Sequence, residues 1–239
     1  MLNQFSRLEL LLGKEALEKL ATKNVLVFGL GGVGGNVCDA LVRSGIKNIT
    51  IVDNDVVTIT NINRQLIANL NTVGKAKVDV MEEHLKSINK EVNVIKKQIF
   101  FLPENKDEID FAKYDYVVDA VDTVSAKIEI IKICKSLQIP VISALGCGNK
   151  LNPTKLEVAD ISKTSYDPLA KVMRRELRKY NINHLKVIYS KESPIEIKGE
   201  IEEENTKKRI PGSSAFVPPV AGIIIASEVI KDLVNLLGN

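Results

Sequence analysis

Cysteine and histidine are scarce in this sequence, and those present are dispersed. Cys38, Cys134 and Cys147 are the three cysteines. They are too few and too scattered for a disulfide framework, and the lack of any C-x-x-C pair excludes a four-thiolate zinc site. The two histidines, His84 and His184, are not near Cys147 in sequence, so no cysteine-based mechanism is expected. Cys38 and Cys134 fall within helical patterns and read as core. Cys147, between Gly146 and Gly148 at a strand end, reads either as a small packed thiol or as an exposed one.

An excess of one charge is lacking too: the net charge of +3 excludes a general nucleic-acid binder, so any basic surface is local. The opening residues, Met1 to Arg7, lack the charged and apolar regions of an export signal. The most apolar late stretch, Ala215 to Leu237, contains Pro218-Pro219 and is interrupted by Glu228, Lys231 and Asp232. It therefore reads as a buried helix and not as a membrane span. A soluble protein of the reducing cytoplasm is expected.

The organising stretch runs from Asn24 to Asn36. Val25-Leu26-Val27-Phe28 is an apolar strand, Gly29-Leu30-Gly31-Gly32-Val33-Gly34 a glycine turn, and a helical pattern follows directly. Gly29 permits the tight turn, Gly31 lets backbone approach an anion, and Gly34 lets helix and strand pack closely; the helix dipole favours negative charge at its start. A second strand, Ile49 to Asp53, ends in a carboxylate about twenty residues past the turn, where it can bind ribose hydroxyls or simply cap a turn. Further strands at Val92 to Phe100, Tyr114 to Asp122, Ile139 to Leu145, Leu156 to Ile161 and His184 to Tyr189 alternate mostly with helices. The pattern predicts a Rossmann-like α/β fold, a mostly parallel central sheet with helices on both faces and a C-terminal extension.

Between Asp53 and the next helix lies a polar, irregular stretch holding Asp55, Asn61, Asn63, Arg64 and Gln65, with Lys77 in the first turn of that helix. A dinucleotide dehydrogenase has no evident need for this cluster, whereas a nucleoside triphosphate needs several fixed cations and donors on its phosphates. A solvated charged loop remains the alternative for Arg64 and Lys77. Asp119 and Asp122 end the Tyr114 to Asp122 strand and are placed near the glycine turn; Asp122 is either a magnesium ligand or a helix cap. Arg7 opens a helix predicted from Leu8 to Leu20, a dipole-unfavourable place that hints at function, although a surface ion pair explains it equally. A helix from Thr164 to Tyr180 carries a basic stripe, Lys171, Arg174, Arg175, Arg178 and Lys179, which either binds RNA phosphates or is a solvated face; no aromatic platform accompanies it in sequence. Lys191 to Ser214 is charge-rich and reads as a mobile loop, and a closing helix spans Ala221 to Leu237.

Gly29 to Gly34, Asp53, the Asn61-Ile62-Asn63-Arg64-Gln65 run, Lys77 and Asp122 together resemble the ThiF/MoeB/HesA superfamily, bacterial relatives of ubiquitin-activating enzymes. The resemblance implies an enzyme that binds ATP and magnesium and adenylates a carboxylate. It implies that Asp53 holds the ribose, that Asn61, Arg64, Gln65 and Lys77 hold phosphates, that Asp122 serves the metal, and that Arg7 reaches the partner's nucleotide in a homodimer. The sulfur-carrier activators usually carry two C-x-x-C pairs, which are missing here. Asn152-Pro153-Thr154-Lys155, Asp160 to Thr164 and Asp167-Pro168-Leu169-Ala170 are instead similar to the tRNA threonylcarbamoyladenosine dehydratase branch, which gives the basic helix a role in docking tRNA. Residues 1–160 are then the adenylation domain and 161–239 an extension packed on it. Adenylation of a ubiquitin-like carrier, a nucleotide-sensing module and an NAD oxidoreductase are the competing readings. A sulfur-transfer or redox partner is left open.

Overall fold

Val25, Leu26, Val27 and Phe28 are all buried, because the strand they form lies at the centre of a sheet covered on both faces. The computed structural model describes residues 2–199 and 211–236. The elements run α1 (Ser6–Leu12), α2 (Lys14–Ala21), β1 (Asn24–Phe28), α3 (Gly34–Arg43), β2 (Asn48–Val52), α4 (Lys77–Ile88), β3 (Asn93–Lys97) and β4 (Tyr116–Asp119). They continue as α5 (Val124–Ser136), β5 (Val141–Ala144), β6 (Leu156–Asp160), α6 (Pro168–Arg178), β7 (Lys186–Ser190) and α7 (Val217–Val234).

The seven strands form one sheet in the order β3-β2-β1-β4-β5-β7-β6, parallel except for the antiparallel pairing of β6 with β7. Alternate residues of β1 feed two cores. Val25 and Val27 pack with residues of α3, α4 and α7, while Leu26 and Phe28 pack with residues of α5 and α6. The expected layering, helices on both faces of a mostly parallel sheet, is what the chain forms.

The order reverses between β1 and β4, where a cleft opens beyond the carboxyl ends of the strands. β7, from beyond residue 160, inserts between β5 and β6 and completes the same sheet. Its Lys186 ties α7 to the sheet through Glu228 at 2.7 Å and Asp232 at 2.9 Å. α7 also lies close against α3: a Cβ on Gly222 would stand 2.3 Å from the Val33 carbonyl oxygen.

Several boundaries differ from the sequence expectation. The helix predicted from Leu8 to Leu20 is two helices, broken at Gly13, whose φ of 81° is left-handed and stops α1. The closing helix begins earlier, at Val217, because Pro218 and Pro219 fall in its first turn, where a missing N–H costs nothing. β3 ends at Lys97, so Ile99, Phe100 and Phe101 are not strand. Of the loop predicted between Lys191 and Ser214, residues 200–210 lie outside the described residues. Its flanks are tied down, Ile195 N donating to Asn149 O at 2.7 Å and Glu192 accepting from Asn152 N at 2.9 Å.

Candidate nucleotide site

The cleft is a cavity of about 540 Å³ lined by the ends of β1, β2 and β4 and by the stretch that follows each. The glycine turn is its floor. Gly29 takes a φ of 86°, and a Cβ there would lie 2.6 Å from the Ala120 carbonyl oxygen; one on Gly34 would lie 1.8 Å from Gly29 O. These two glycines are therefore required by the crossing of β1, β4 and α3. Gly31 has open space where a side chain would be and lines the cavity, so its backbone is free to face a ligand. Gly32 does not line it, since it packs against Pro218 of α7.

Asp53 sits at the end of β2 with its carboxylate held by two backbone amides, Leu30 N at 2.6 Å and Asp55 N at 2.8 Å. Burial pushes its pKa up, against the pull of the Lys77 ammonium and of those two amides. Lys77 is the first residue of α4, with its stem buried and its Nζ 2.8 Å from the Asp55 carboxylate. The backbone fixes it as well: Lys77 N donates to Asp55 O at 3.0 Å, and Val56 forms a bridge with Ala76.

Asn61, Arg64 and Gln65 line the opposite wall. Asn61 closes a short 3-10 turn, its Oδ1 accepting from Thr58 N at 3.2 Å. Arg64 is oriented by donating from Nη1 to Thr60 O and to Asn63 Oδ1, both at 2.9 Å. Gln65 is buried, and its Oε1 has no hydrogen-bond partner among the described residues. Asn63, expected as a phosphate ligand, does not line the cavity. Its Nδ2 reaches Ser213 O at 3.0 Å, and its oxygen steers Arg64.

Asp122 lines the cavity with an exposed carboxylate. Asp119, expected near the glycine turn, is there but is unavailable to a ligand. It is fully buried, ion-paired with Lys127 at 3.0 Å, and accepts from Ser143 Oγ at 2.6 Å. The described residues hold no cluster of three or more histidine, cysteine or acidic side chains suited to a metal. A cation held by Asp122 would need its remaining oxygens from phosphate and water, which is how magnesium ordinarily binds with nucleotides.

Sequence reasoning missed the apolar end of the cavity. Ile99, Phe100, Phe101, Val121 and Ala126 line it, and Phe101 is braced by Phe28, ring centroids 4.8 Å apart. Its one signal is Ile99-Phe100-Phe101, an apolar triplet following a strand whose own residues are largely exposed. Such a slot suits a flat heterocycle.

Away from the cavity, Arg7 lies in the first turn of α1, exposed and with no hydrogen bond or ion pair among the described residues. On α6, Lys171, Arg174, Arg175 and Arg178 line a second depression. Arg174 is committed internally: its Nη1 donates to Ile161 O at 3.3 Å, to Thr164 O at 3.2 Å and to the Thr164 hydroxyl. Arg175 is paired with Glu176 at 2.9 Å. Cys147 is buried, its thiol pushed up to about 12 chiefly by desolvation, which settles the sequence alternatives in favour of a packed thiol.

A glycine turn at a topological switch point, a carboxylate ending the second strand, two fixed cations and an apolar slot define an α/β protein that binds a nucleotide. The chain belongs to the ThiF family, whose model matches residues 4–238. It is 47% identical over 244 residues to the tRNA threonylcarbamoyladenosine dehydratase of Bacillus subtilis (strain 168), spanning 98% of this chain and 96% of the relative. Its fold matches the crystal structure of Escherichia coli TcdA, a tRNA N6-threonylcarbamoyladenosine dehydratase, in complex with AMP. The TM-score is 0.88 and the identity 31%, over 98% of this chain and 95% of the other. The same E. coli protein in complex with ATP matches with a TM-score of 0.86, the same identity and the same coverage. No helix among the described residues is long and apolar enough to cross a membrane.

Proposed function

We propose that this protein is an ATP-dependent tRNA threonylcarbamoyladenosine dehydratase: it adenylates the carboxylate of that nucleoside and closes it to a ring. The observation that carries the chemistry is the Lys77 ammonium, on a buried side chain held by Asp55 at 2.8 Å, in a cleft that Asp53 and Arg64 also line. Near-full-length likeness to dehydratases supports the substrate.

In this reading the heterocycle of ATP occupies the slot at Ile99 to Phe101, and Asp53 accepts from the ribose hydroxyls. Gln65, with its unpaired oxygen, is positioned to accept from a donor that enters the cleft. Gly31 and the α3 N-terminus face the phosphates, and Asn61, Arg64 and Lys77 donate to them. Asp55 keeps Lys77 oriented until a phosphate competes for it. A substrate carboxylate oxygen attacks the α-phosphorus, and the bond to pyrophosphate breaks. A substrate nitrogen or oxygen then attacks the acyl carbonyl and AMP departs with the carboxylate oxygen, a net loss of water. Lys77 and Arg64 stabilise the charge developing on the phosphorus centre. Asp122 would hold a magnesium ion, which would supply further charge neutralisation. No enzyme nucleophile is required.

The protein works as a cytoplasmic homodimer, with Arg7 acting in the partner's site. The free guanidinium of Arg7 and the exposed Leu10 and Leu11 on the same helix support this. Mixing the inactive Arg7→Ala and Lys77→Ala proteins should then restore turnover, because an intact Lys77 site meets an intact Arg7; no recovery counts against action in trans. tRNA phosphates dock on α6 through Lys171 and Arg178, with Arg175 recruited from its exposed pair and Arg174 holding the loop beneath. A sulfur-transfer or redox partner would have to bring its own reactive thiol, since burial pushes all three thiols up.

The test incubates the protein with ATP, magnesium and tRNA bearing threonylcarbamoyladenosine, then weighs the digested nucleosides. ATP-dependent loss of one water, abolished in a folded Lys77→Ala variant, is the expected result. An unchanged nucleoside alongside ATP binding would overturn the assignment.

A further inference from the structure

The basic stripe of α6 has no aromatic residue within it that could receive a base. Tyr180, at its far end, has one ring face taken by the Lys132 ammonium 4.5 Å away. The fold supplies a free ring from outside the helix. Tyr166 is 73% exposed and makes no hydrogen bond or ring contact among the described residues. Its φ of 57° puts a bulky side chain in the left-handed region, which L-residues adopt only where neighbours impose it.

Those neighbours are identifiable. Asp167 is buried and bonds in two directions, Oδ1 accepting from Ala170 N to cap α6 and Oδ2 accepting from Gly146 N, each at 3.0 Å. On the other side of Tyr166, Thr164 is buried and gripped by Arg174 and by Ile161 O. The loop is thus clamped on both sides of Ser165 and Tyr166, and the tyrosine ring is left in solvent. Gly146 lies just past the carboxyl end of β5, the strand beside β4, so Tyr166 is anchored at the same end of the sheet as the nucleotide cavity. Lys171 and Arg178, two turns apart on α6, run away from it with their charges unpaired among the described residues.

We propose that Tyr166 is a stacking platform for one unpaired base of the RNA substrate, set between the nucleotide cavity and the phosphate-binding stripe of α6. This rests on the RNA reading above and deepens it. Phosphates on Lys171 and Arg178 fix the strand electrostatically, while an exposed aromatic face takes a splayed base of any sequence. The strained, clamped backbone holds the ring in place before RNA arrives, so less freedom is lost on binding.

The test measures tRNA affinity of the full chain against salt concentration for the wild type, Tyr166→Ala, Tyr166→Gly, Tyr166→Trp and Lys171→Ala, with melting temperature and ATP affinity as controls. Tyr166→Ala should bind tRNA about 5- to 150-fold more weakly with an unchanged salt slope, whereas Lys171→Ala should lower that slope by about one. Tyr166→Gly relieves the left-handed strain, so it should melt no lower than the wild type yet bind tRNA as weakly as Tyr166→Ala. Tyr166→Trp should keep wild-type affinity. Tyr166→Ala or Tyr166→Gly binding as tightly as a tRNA-competent wild type overturns the platform alone. A wild type that binds ATP but no tRNA overturns the RNA reading and the platform with it.

Discussion

Replacing Lys127 by Met should destabilise the fold more than almost any other single change outside the glycine turn. Lys127 and Asp119 are both completely shielded from solvent. The ammonium donates to both Asp119 oxygens, at 3.1 and 3.0 Å, and to Ser143 Oγ at 3.3 Å, which uses all its protons. Met preserves the length of the side chain and removes the charge, leaving the Asp119 carboxylate with Ser143 Oγ and Val121 N as its remaining donors. Breaking one side of a buried pair costs about 3–5 kcal/mol, or about 6–20 °C of melting temperature in a chain of this size. Lys127→Met with Asp119→Asn removes the stranded charge while keeping an oxygen for Val121 N and an amide that donates to Ser143 Oγ, and should regain most of the loss. The effect should reach the site, because the Asp119 carboxylate fixes Val121 N, next to Asp122. Thermal and urea melts of both variants, with ATP affinity measured well below the transition, check this. A single variant melting within about 2 °C of the wild type, or a double variant no more stable than the single, would refute the reasoning.

Gly222→Ala would place a methyl 2.3 Å from Val33 O and 2.8 Å from Asn36 Cβ, forcing α7 away from the start of α3. A loss of about 1–3 kcal/mol in urea unfolding with an unchanged m-value is expected, together with weaker ATP binding. Asp53 must be a carboxylate to accept best from ribose hydroxyls, and burial raises its folded pKa. ATP affinity should therefore fall on acidification at a pH above the ordinary aspartate range, and Asp53→Asn should flatten that profile. The stability contribution of Asp53 runs the other way, fully present below the unfolded value and lost as pH rises through the raised one. Cys147, a thiol with its pKa pushed up to about 12, should resist iodoacetamide in the native protein at neutral pH, and Cys147→Ser should turn over normally. Loss of turnover with an unchanged melt would give that sulfur a role.

The features legible in the sequence were those encoded locally. A strand, glycine turn and helix in succession predicted the anion-facing turn, and the polar run from Asn61 to Gln65 with Lys77 marked residues that the fold brings to one cleft from separate elements, Asn63 apart. Long-range choices were not legible. Asp119 and Asp122 are three residues apart in one strand end, but only the presence of Lys127 on α5 and Ser143 on β5 decides that the first is structural and the second faces the cavity. Arg174 reads like its neighbours on a helical wheel and is distinguished by the loop folded beneath it. Asn63 was drawn into the site by its company, yet its partner is Ser213, far along the chain. Tyr166 carried no signal, since a left-handed φ at tyrosine is imposed by Asp167 and Thr164 and not preferred by the residue.

The stretch from 161 onward shapes the cleft as well as extending the chain. β7 supplies the hydrogen-bonding edge for both β5 and β6, so without it β5 would lose one neighbour and β6 its only one. Pro211 to Ser214 crosses the rim: Asn149 N donates to Gly212 O at 2.7 Å, Gly212 N to Asn149 Oδ1 at 2.6 Å, and Asn63 Nδ2 to Ser213 O. Because Asn63 also orients Arg64, a chain of bonds leads from the turn after β5 to a cation lining the cavity. α7 then presses Pro218 on Gly32 and Gly222 on Val33, which fixes the glycine turn from behind. A nucleotide in the cleft and an RNA at Tyr166, beside the turn after β5, would therefore contact two ends of one bonded network. That gives a physical basis for coupling adenylation to the presence of the substrate that accepts it.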